Sequence, residues 1–166
     1  MLGARFVVTI SFLFTLALGA VCPAQESNES TASCNLDDGR QVYIRYTPVT
    51  TKGEKVSNGK PWAPGGAPMT LFTEAQLSFG GATIPIGAYT VYPIPARDKW
   101  SLAVNKNVTP HSTYDEKQDV ARSAIETDQV TQPSDTLEVA FAHTGDKCTL
   151  RIYFGKAASF AAFTAK

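Results

Sequence analysis

The sequence predicts an all-β protein, an antiparallel β-sandwich or flattened barrel of about 8–9 short strands. Three observations carry this. Short runs alternate apolar and polar residues with a period of two, as in Val42-Tyr43-Ile44-Arg45-Tyr46. Turn-forming residues, among them Asp38-Gly39, Gly80-Gly81 and Gly145-Asp146, punctuate those runs. No stretch beyond the N-terminal leader keeps a helical period over the length of an ordinary helix.

The leader comes first. Arg5 supplies a positive start, Phe6 to Val21 is almost wholly apolar, and Cys22-Pro23-Ala24 fits a cleavage site ahead of Gln25. Residues 1–24 therefore read as a signal peptide. A retained anchor competes, but the apolar run is about 16 residues, short of the roughly 20 a spanning helix needs. A lipid-modified Cys22 is disfavoured by the branched Val21 before it. The expected location is exported, in the periplasm or outside the cell, with no stable membrane span after cleavage.

Removing Arg5 with the leader leaves 14 basic against 15 acidic side chains. A near-neutral chain without a Lys/Arg cluster excludes nucleic acid as the natural partner. Of three cysteines, Cys34 and Cys148 remain after cleavage, and an even pair in an exported chain predicts a disulfide. Closing a loop of roughly a hundred residues is worth about 4–5 kcal/mol in the chain-entropy account, less any strain.

Taken in order, residues 25–33 are small and polar and read as a disordered leader to a single domain over 34–166. Asp37-Asp38-Gly39 is a turn, not a calcium loop, because Gln41, Tyr43 and Arg45 are not the alternating oxygen ligands calcium requires. Gln41 to Thr47 is a strand with Val42, Ile44 and Tyr46 on one face and Tyr43 and Arg45 on the other. Pro48 to Pro68 is a long loop, rich in proline and glycine, holding Trp62. Loops of that length are functional or disordered, and an indole among prolines either packs onto the body or offers a stacking platform.

Leu71 to Lys106 reads as a meander. Leu71, Thr73, Ala75, Leu77 and Phe79 share one face; Phe72, Glu74, Gln76 and Ser78 share the other. Gly80-Gly81 and Ile84-Pro85-Ile86-Gly87 are corners. Pro93 lacks a ladder donor, so its strand end belongs at an edge or beside a bulge. Trp100, Leu102 and Val104 alternate inward. Asn107 to Asp119 is a second polar loop, Val120 to Val130 a solvent-facing strand, and Gln132 to Asp135 a turn. Leu137, Val139 and Phe141, then Leu150, Ile152 and Phe154, mark the buried faces of two more strands. Residues 157–164 are strand or short helix, which periodicity does not decide.

Chemistry is sparse. The chain has two histidines, too few for a metal site once the cysteines pair. His143 sits at a hairpin end. His111 is followed within one loop by Ser112, Tyr114, Asp115 and Glu116, and a histidine with a carboxylate nearby can act as a general base. No nucleophile elbow, phosphate loop or cofactor motif occurs. The candidate binding residues are Lys60 and Trp62 in the first loop and His111 and Tyr114 in the second, because these loops hold the aromatics that fall outside the strand pattern. No residue is assigned a catalytic or metal-binding role. The expected function is a non-enzymatic binding module or envelope protein. Its partner would be a small molecule, a glycan or a protein. The alternative is a hydrolase using His111 with a nearby carboxylate.

The order of motifs resembles a bacterial family of exported proteins, domain-of-unknown-function family 2911. The resemblance rests on Cys34 with Asp38-Gly39, on Val42 to Tyr46 followed by Pro48, and on Gly59-Lys60-x-Trp62-x-x-Gly65. It continues through Gly87-x-Tyr89-Thr90, Trp100-Ser101-Leu102, Asn105-Lys106 and Gly145-x-x-Cys148-Thr149-Leu150. Members usually follow the tryptophan with Arg-Thr-Gly-Ala-Asn. Here Ala63, Pro64, Gly65, Gly66 and Ala67 stand there, so any ligand contact made by that arginine and asparagine does not carry over. A second tryptophan that the family often places before Tyr114 is also missing. The resemblance implies no activity.

Overall fold

The computed structural model describes residues 28–109 and 113–166. The expected signal peptide and His111 lie outside the described residues. The strands are β1 (Ser30–Asn35), β2 (Gln41–Tyr46), β3 (Met69–Thr73), β4 (Leu77–Phe79) and β5 (Ala82–Ile84). β6 (Gly87–Ile94), β7 (Ser101–Asn105), β8 (Asp119–Ala124), β9 (Glu126–Thr144) and β10 (Lys147–Ala165) follow. They form two antiparallel sheets, one in the order β1-β2-β3-β6-β7-β8 and the other β5-β4-β10-β9.

Alternation explains the core. Val42, Ile44, Leu71, Val91, Leu102 and Val104 from the six-stranded sheet meet Leu77, Leu137, Leu150, Ile152 and Phe163 from the four-stranded sheet in one buried cluster. Each strand can bury only one face this way, and the other face of the six-stranded sheet is left to be covered or wetted. Cys34 of β1 and Cys148 of β10 form the expected disulfide, with Cα atoms 6.0 Å apart. It therefore ties one sheet to the other.

Four sequence expectations need correction. Residues 30–33, expected in a disordered leader, belong to β1, where Ser30 to Asn35 pair with Tyr46 to Gln41; backbone pairing and the disulfide at Cys34 hold a stretch whose side chains bury little. The meander is interrupted. β3, β6 and β7 are neighbours, but the β4–β5 hairpin between them belongs to the other sheet. The chain crosses at the buried Ala75, whose N–H and C=O both bond the Thr73 hydroxyl (3.2 and 2.5 Å). Val120 to Val130 likewise divides at the buried Ile125, whose N–H donates to Trp100 O (2.8 Å), so β8 and β9 lie in different sheets. Finally, Gln132 to Asp135 is part of β9 and not a turn.

The run at 157–164 is strand, continuous with the run before it. Register shifts flank Gly155, which has φ 60°. The inward set accordingly changes from Cys148, Leu150 and Ile152 to Ala161 and Phe163. A bulge switches which face is buried, which is why no single period fits the whole segment.

Gly80 and Gly81 have φ 57° and 85°, the double positive of a tight hairpin turn. They differ in surroundings. A Cβ at Gly80 would collide with Ser123 Cβ and lie 2.6 Å from its Oγ, whereas one at Gly81 meets nothing within 4 Å. Gly81→Ala should cost about 1–2 kcal/mol, the left-handed penalty alone. Gly80→Ala should cost about 3 kcal/mol or more. Ser123→Gly in the Gly80→Ala background should recover the difference. Equal costs in denaturant titrations would remove Ser123 as the obstacle.

Candidate functional site

The first long loop is strapped at both ends. Near its start, Leu137 N–H donates to Val49 O (2.7 Å) and Thr51 N–H to Asp135 O (2.9 Å), holding it to β9. Further on, Gly59 N–H reaches Pro95 O (2.6 Å) and Trp62 N–H reaches Pro93 O (2.8 Å). A strand residue's carbonyl and nitrogen point to the same side, so Pro93's missing donor also faces the loop. Its position beyond the end of β3 makes this a local edge, where proline costs no ladder bond.

Trp62 is 4% exposed. Its ring lies 4.7 Å from that of Phe154 on β10, and its indole N–H donates to Glu54 Oε1 (2.9 Å). The same carboxylate oxygen accepts Gly65 N–H (3.2 Å), at the short 3-10 turn Pro64–Gly66. The indole thus fills the core with its polar atom satisfied. Lys60, two residues earlier, is exposed.

The second loop is organised by Asn105, a polar side chain only 1% exposed. Its amide donates to Asp115 O and to Asp119 Oδ1, both at 2.8 Å, and its Oδ1 accepts Asn107 N–H (3.0 Å). A register shift between Val104 and Asn105 sets Asp119, not Val120, opposite Asn105; re-aiming one side chain is what a bulge does. Asp119 Oδ2 accepts the Tyr114 hydroxyl (2.5 Å), and the Tyr114 ring packs edge-on against Tyr92 (5.0 Å). Burial first, and then the acceptor Asp119, push the Tyr114 phenol far above the ordinary tyrosine range.

The two loops meet. Ala63 from the first and Tyr114 from the second pack on the same small cluster, Tyr92, Ile94 and Ala103, on the outer face of the six-stranded sheet. Beside it lies a groove of about 380 Å³. Ala67 and Pro68 end the first loop at one wall; Val108 and Thr109 begin the second at the other. Arg45, Thr70, Phe72, Ala88 and Thr90 form the floor, with Glu29 also lining it.

That floor is part of a polar row. Arg45 pairs with Thr70, Thr70 with Thr90, Thr90 with Asn105 and Asn105 with Asp119. Directly paired residues point to one side of a sheet, so the row crosses five strands, β2, β3, β6, β7 and β8. Its Asp119 end lies under the second loop and its Arg45 end lies in the groove. Alongside, Phe72 stacks on Tyr43 (4.7 Å, 10°), and the Arg45 guanidinium carbon sits 4.7 Å from the Phe72 ring centre.

The two carboxylates that follow His111, and the second histidine, have partners among the described residues. Asp115 caps the 3-10 turn Glu116–Gln118, accepting Lys117 N–H (3.1 Å). Glu116 pairs with Arg122 (2.7 Å). His143 bonds Gly145 O across its hairpin turn (2.7 Å). Among the described residues no three His, Cys, Asp or Glu side chains cluster as a metal would need, and no helix is long and apolar enough to cross a membrane.

A family model described as protein of unknown function, DUF2911, matches residues 27–160. The chain belongs to the DUF2911 family. Neither the curated proteins nor the solved structures give a match. Of the motifs that carry the DUF2911 resemblance, Trp62 and Asn105 turn out to anchor the two loops. Arg45, Thr70 and Phe72 were not singled out by sequence reasoning. The available signal was an aromatic on the polar face of each of two strands, Tyr43 and Phe72.

Two measurements check these roles. Trp62→Ala should cost about 3–5 kcal/mol of unfolding free energy, as for a large core side chain; an exposed platform would cost far less. Spectrophotometric alkaline titration should show Tyr114 ionising well after an ordinary tyrosine, at about pH 10, with Tyr89 also late because it is buried. Because the folded value is raised, the Tyr114 contribution to stability is complete below about pH 10 and is lost as pH climbs through the folded value. Tyr114→Phe should remove the later-titrating of these two phenols and that loss, with Tyr89 still late. Ionisation of all six tyrosines in one step would contradict the contact.

Proposed function

We propose that this DUF2911 protein is an exported, non-enzymatic binding module whose ligand seats in the groove between its two long loops. One observation carries the reading: both loops, anchored independently, end as the walls of one concavity on a sheet face that carries Arg45, Thr70 and Phe72. Concave sites with apolar walls and a few placed polar groups are the usual form of ligand sites.

In this reading Trp62 and Tyr114 serve binding indirectly, by fixing the loops, while the floor residues touch the ligand. Lys60 does not line the groove and is left without a contact role. Export is supported by the apolar leader and the inter-sheet disulfide, a bond that persists in oxidising compartments. The two sheets around one core are read as a sandwich.

The test is amide chemical-shift mapping of the mature, disulfide-bonded protein. Probes are a neutral disaccharide (maltose), an aromatic acid (3-phenylpropionate) and a short blocked peptide. At least one should perturb Thr70, Phe72, Ala88 and Val108 together. If every probe leaves those amides unmoved, or the shifts gather elsewhere, the groove is not the site.

A further inference from the structure

The groove floor has an unusual electrostatic inventory. Its lining contains one cation, Arg45, and one anion, Glu29, and these stand 3.9 Å apart (Arg45 Nη1 to Glu29 Oε2). That is an ion pair by distance and lies beyond hydrogen-bond length. Both side chains are about half exposed, so the attraction between them is weak. Against the Phe72 ring the guanidinium uses its charge and not its N–H groups. Among the described residues Arg45 therefore sits beside the Phe72 ring with its donor fork unspent.

Its neighbour on the row, Thr70, also makes no side-chain hydrogen bond among the described residues, whereas the Thr90 hydroxyl donates to Asn107 O (3.0 Å). A guanidinium fork and a hydroxyl thus stand side by side, one strand apart, ready to meet acceptor oxygens. Around them Ala67, Pro68, Ala88 and Val108 present apolar surface. The pattern calls for a ligand with an anionic, planar, two-oxygen head and an apolar body.

We infer that the groove takes a small organic carboxylate, with its head on Arg45 and Thr70, and that Glu29 is a built-in competitor for the head. The inference rests on the binding reading above and narrows it. A carboxylate matches the guanidinium fork with two parallel hydrogen bonds. A phosphate dianion would bring two charges to a groove lined by a single cation, and a neutral sugar would leave the guanidinium charge unmatched. Glu29 shows that a carboxylate already finds Arg45 attractive, and its 3.9 Å separation leaves room for a ligand to do better. Being half exposed, it can swing into water when displaced.

The test uses the mature protein with its disulfide intact and two probes with the same body, 3-phenylpropionate and 3-phenylpropionamide, titrated calorimetrically and by amide shifts. The acid should bind at least about tenfold more tightly than the amide, as expected for a charged hydrogen-bonded pair. Arg45→Gln should abolish that preference. Glu29→Gln, at an exposed position, should tighten the acid by a few-fold, about the worth of a surface ion pair, and so widen its preference over the amide. Affinity for the acid should fall with added salt. A tripeptide ending in phenylalanine, with free or amidated C-terminus, separates a peptide source of the carboxylate from a free acid. Equal binding of acid and amide, or no binding of either, overturns the carboxylate assignment. An unchanged or weakened acid affinity in Glu29→Gln overturns the competitor role. If maltose alone perturbs the groove, the binding module stands and this inference falls; if no probe does, both fall.

Discussion

A buried amide must have its hydrogen bonds made, and in this protein Asn105 has them made only when the second loop lies across the sheet. Its three bonds reach Asn107, Asp115 and Asp119, spanning the start and end of the loop. An unpaired buried polar group costs about 1–3 kcal/mol, so opening the loop exposes that penalty at more than one atom. Asp119 extends the dependence to Tyr114, and Tyr114 to Tyr92. The wall at Val108 and Thr109 hangs from the same anchor, since Asn107 also accepts from Thr90 and caps Thr109 N–H (3.2 Å).

The first loop solves the same problem with apolar contact. Trp62 contributes the area and Glu54 the acceptor, and Glu54 then closes the turn that leads to Ala67 and Pro68. Gly65 at that turn has φ 65°, and a Cβ there would press on Val49 Cγ1 at 2.7 Å, so the loop returns onto its own beginning. Neither wall of the groove is a loose end. The first is fixed by Trp62 and Glu54, which do not line it, and the second by Asn105 and Tyr114 together with the floor residue Thr90.

Much of the strand pattern was legible because alternation reports burial directly: Val42 and Ile44 against Tyr43 and Arg45, Leu150 and Ile152 against Arg151. The disulfide was legible because two cysteines remain after the leader. What alternation does not carry is which sheet a strand joins. Ala75 and Ile125 are ordinary inward residues in a one-dimensional reading, and only packing reveals them as crossings. The polar row was hidden for a related reason. Its members come from five segments, and Asn105 and Asp119 meet through a bulge that shifts the register by one residue. Trp62 illustrates the converse: a loop position with no period is buried as deeply as a strand residue, because Phe154 and Glu54, distant in sequence or out of pattern, form its surroundings.

The row also explains why the groove is open where it is. At its Asp119 end the Asn105 amide and the Asp119 carboxylate bond one another and groups of the second loop, so covering them is favourable. At its Arg45 end a cover would have to desolvate a guanidinium, which is costly unless a carboxylate comes with it. Glu29 approaches but does not complete the pair. That end is therefore left to water, or to a ligand that brings the missing oxygens. Since both walls are already held in place, such a ligand would not have to order them, and ordering is a large part of what binding ordinarily costs. Trp62 and Tyr114, the loop aromatics outside the strand pattern, thus hold the segments that flank Arg45 through their own packing on Phe154 and Tyr92.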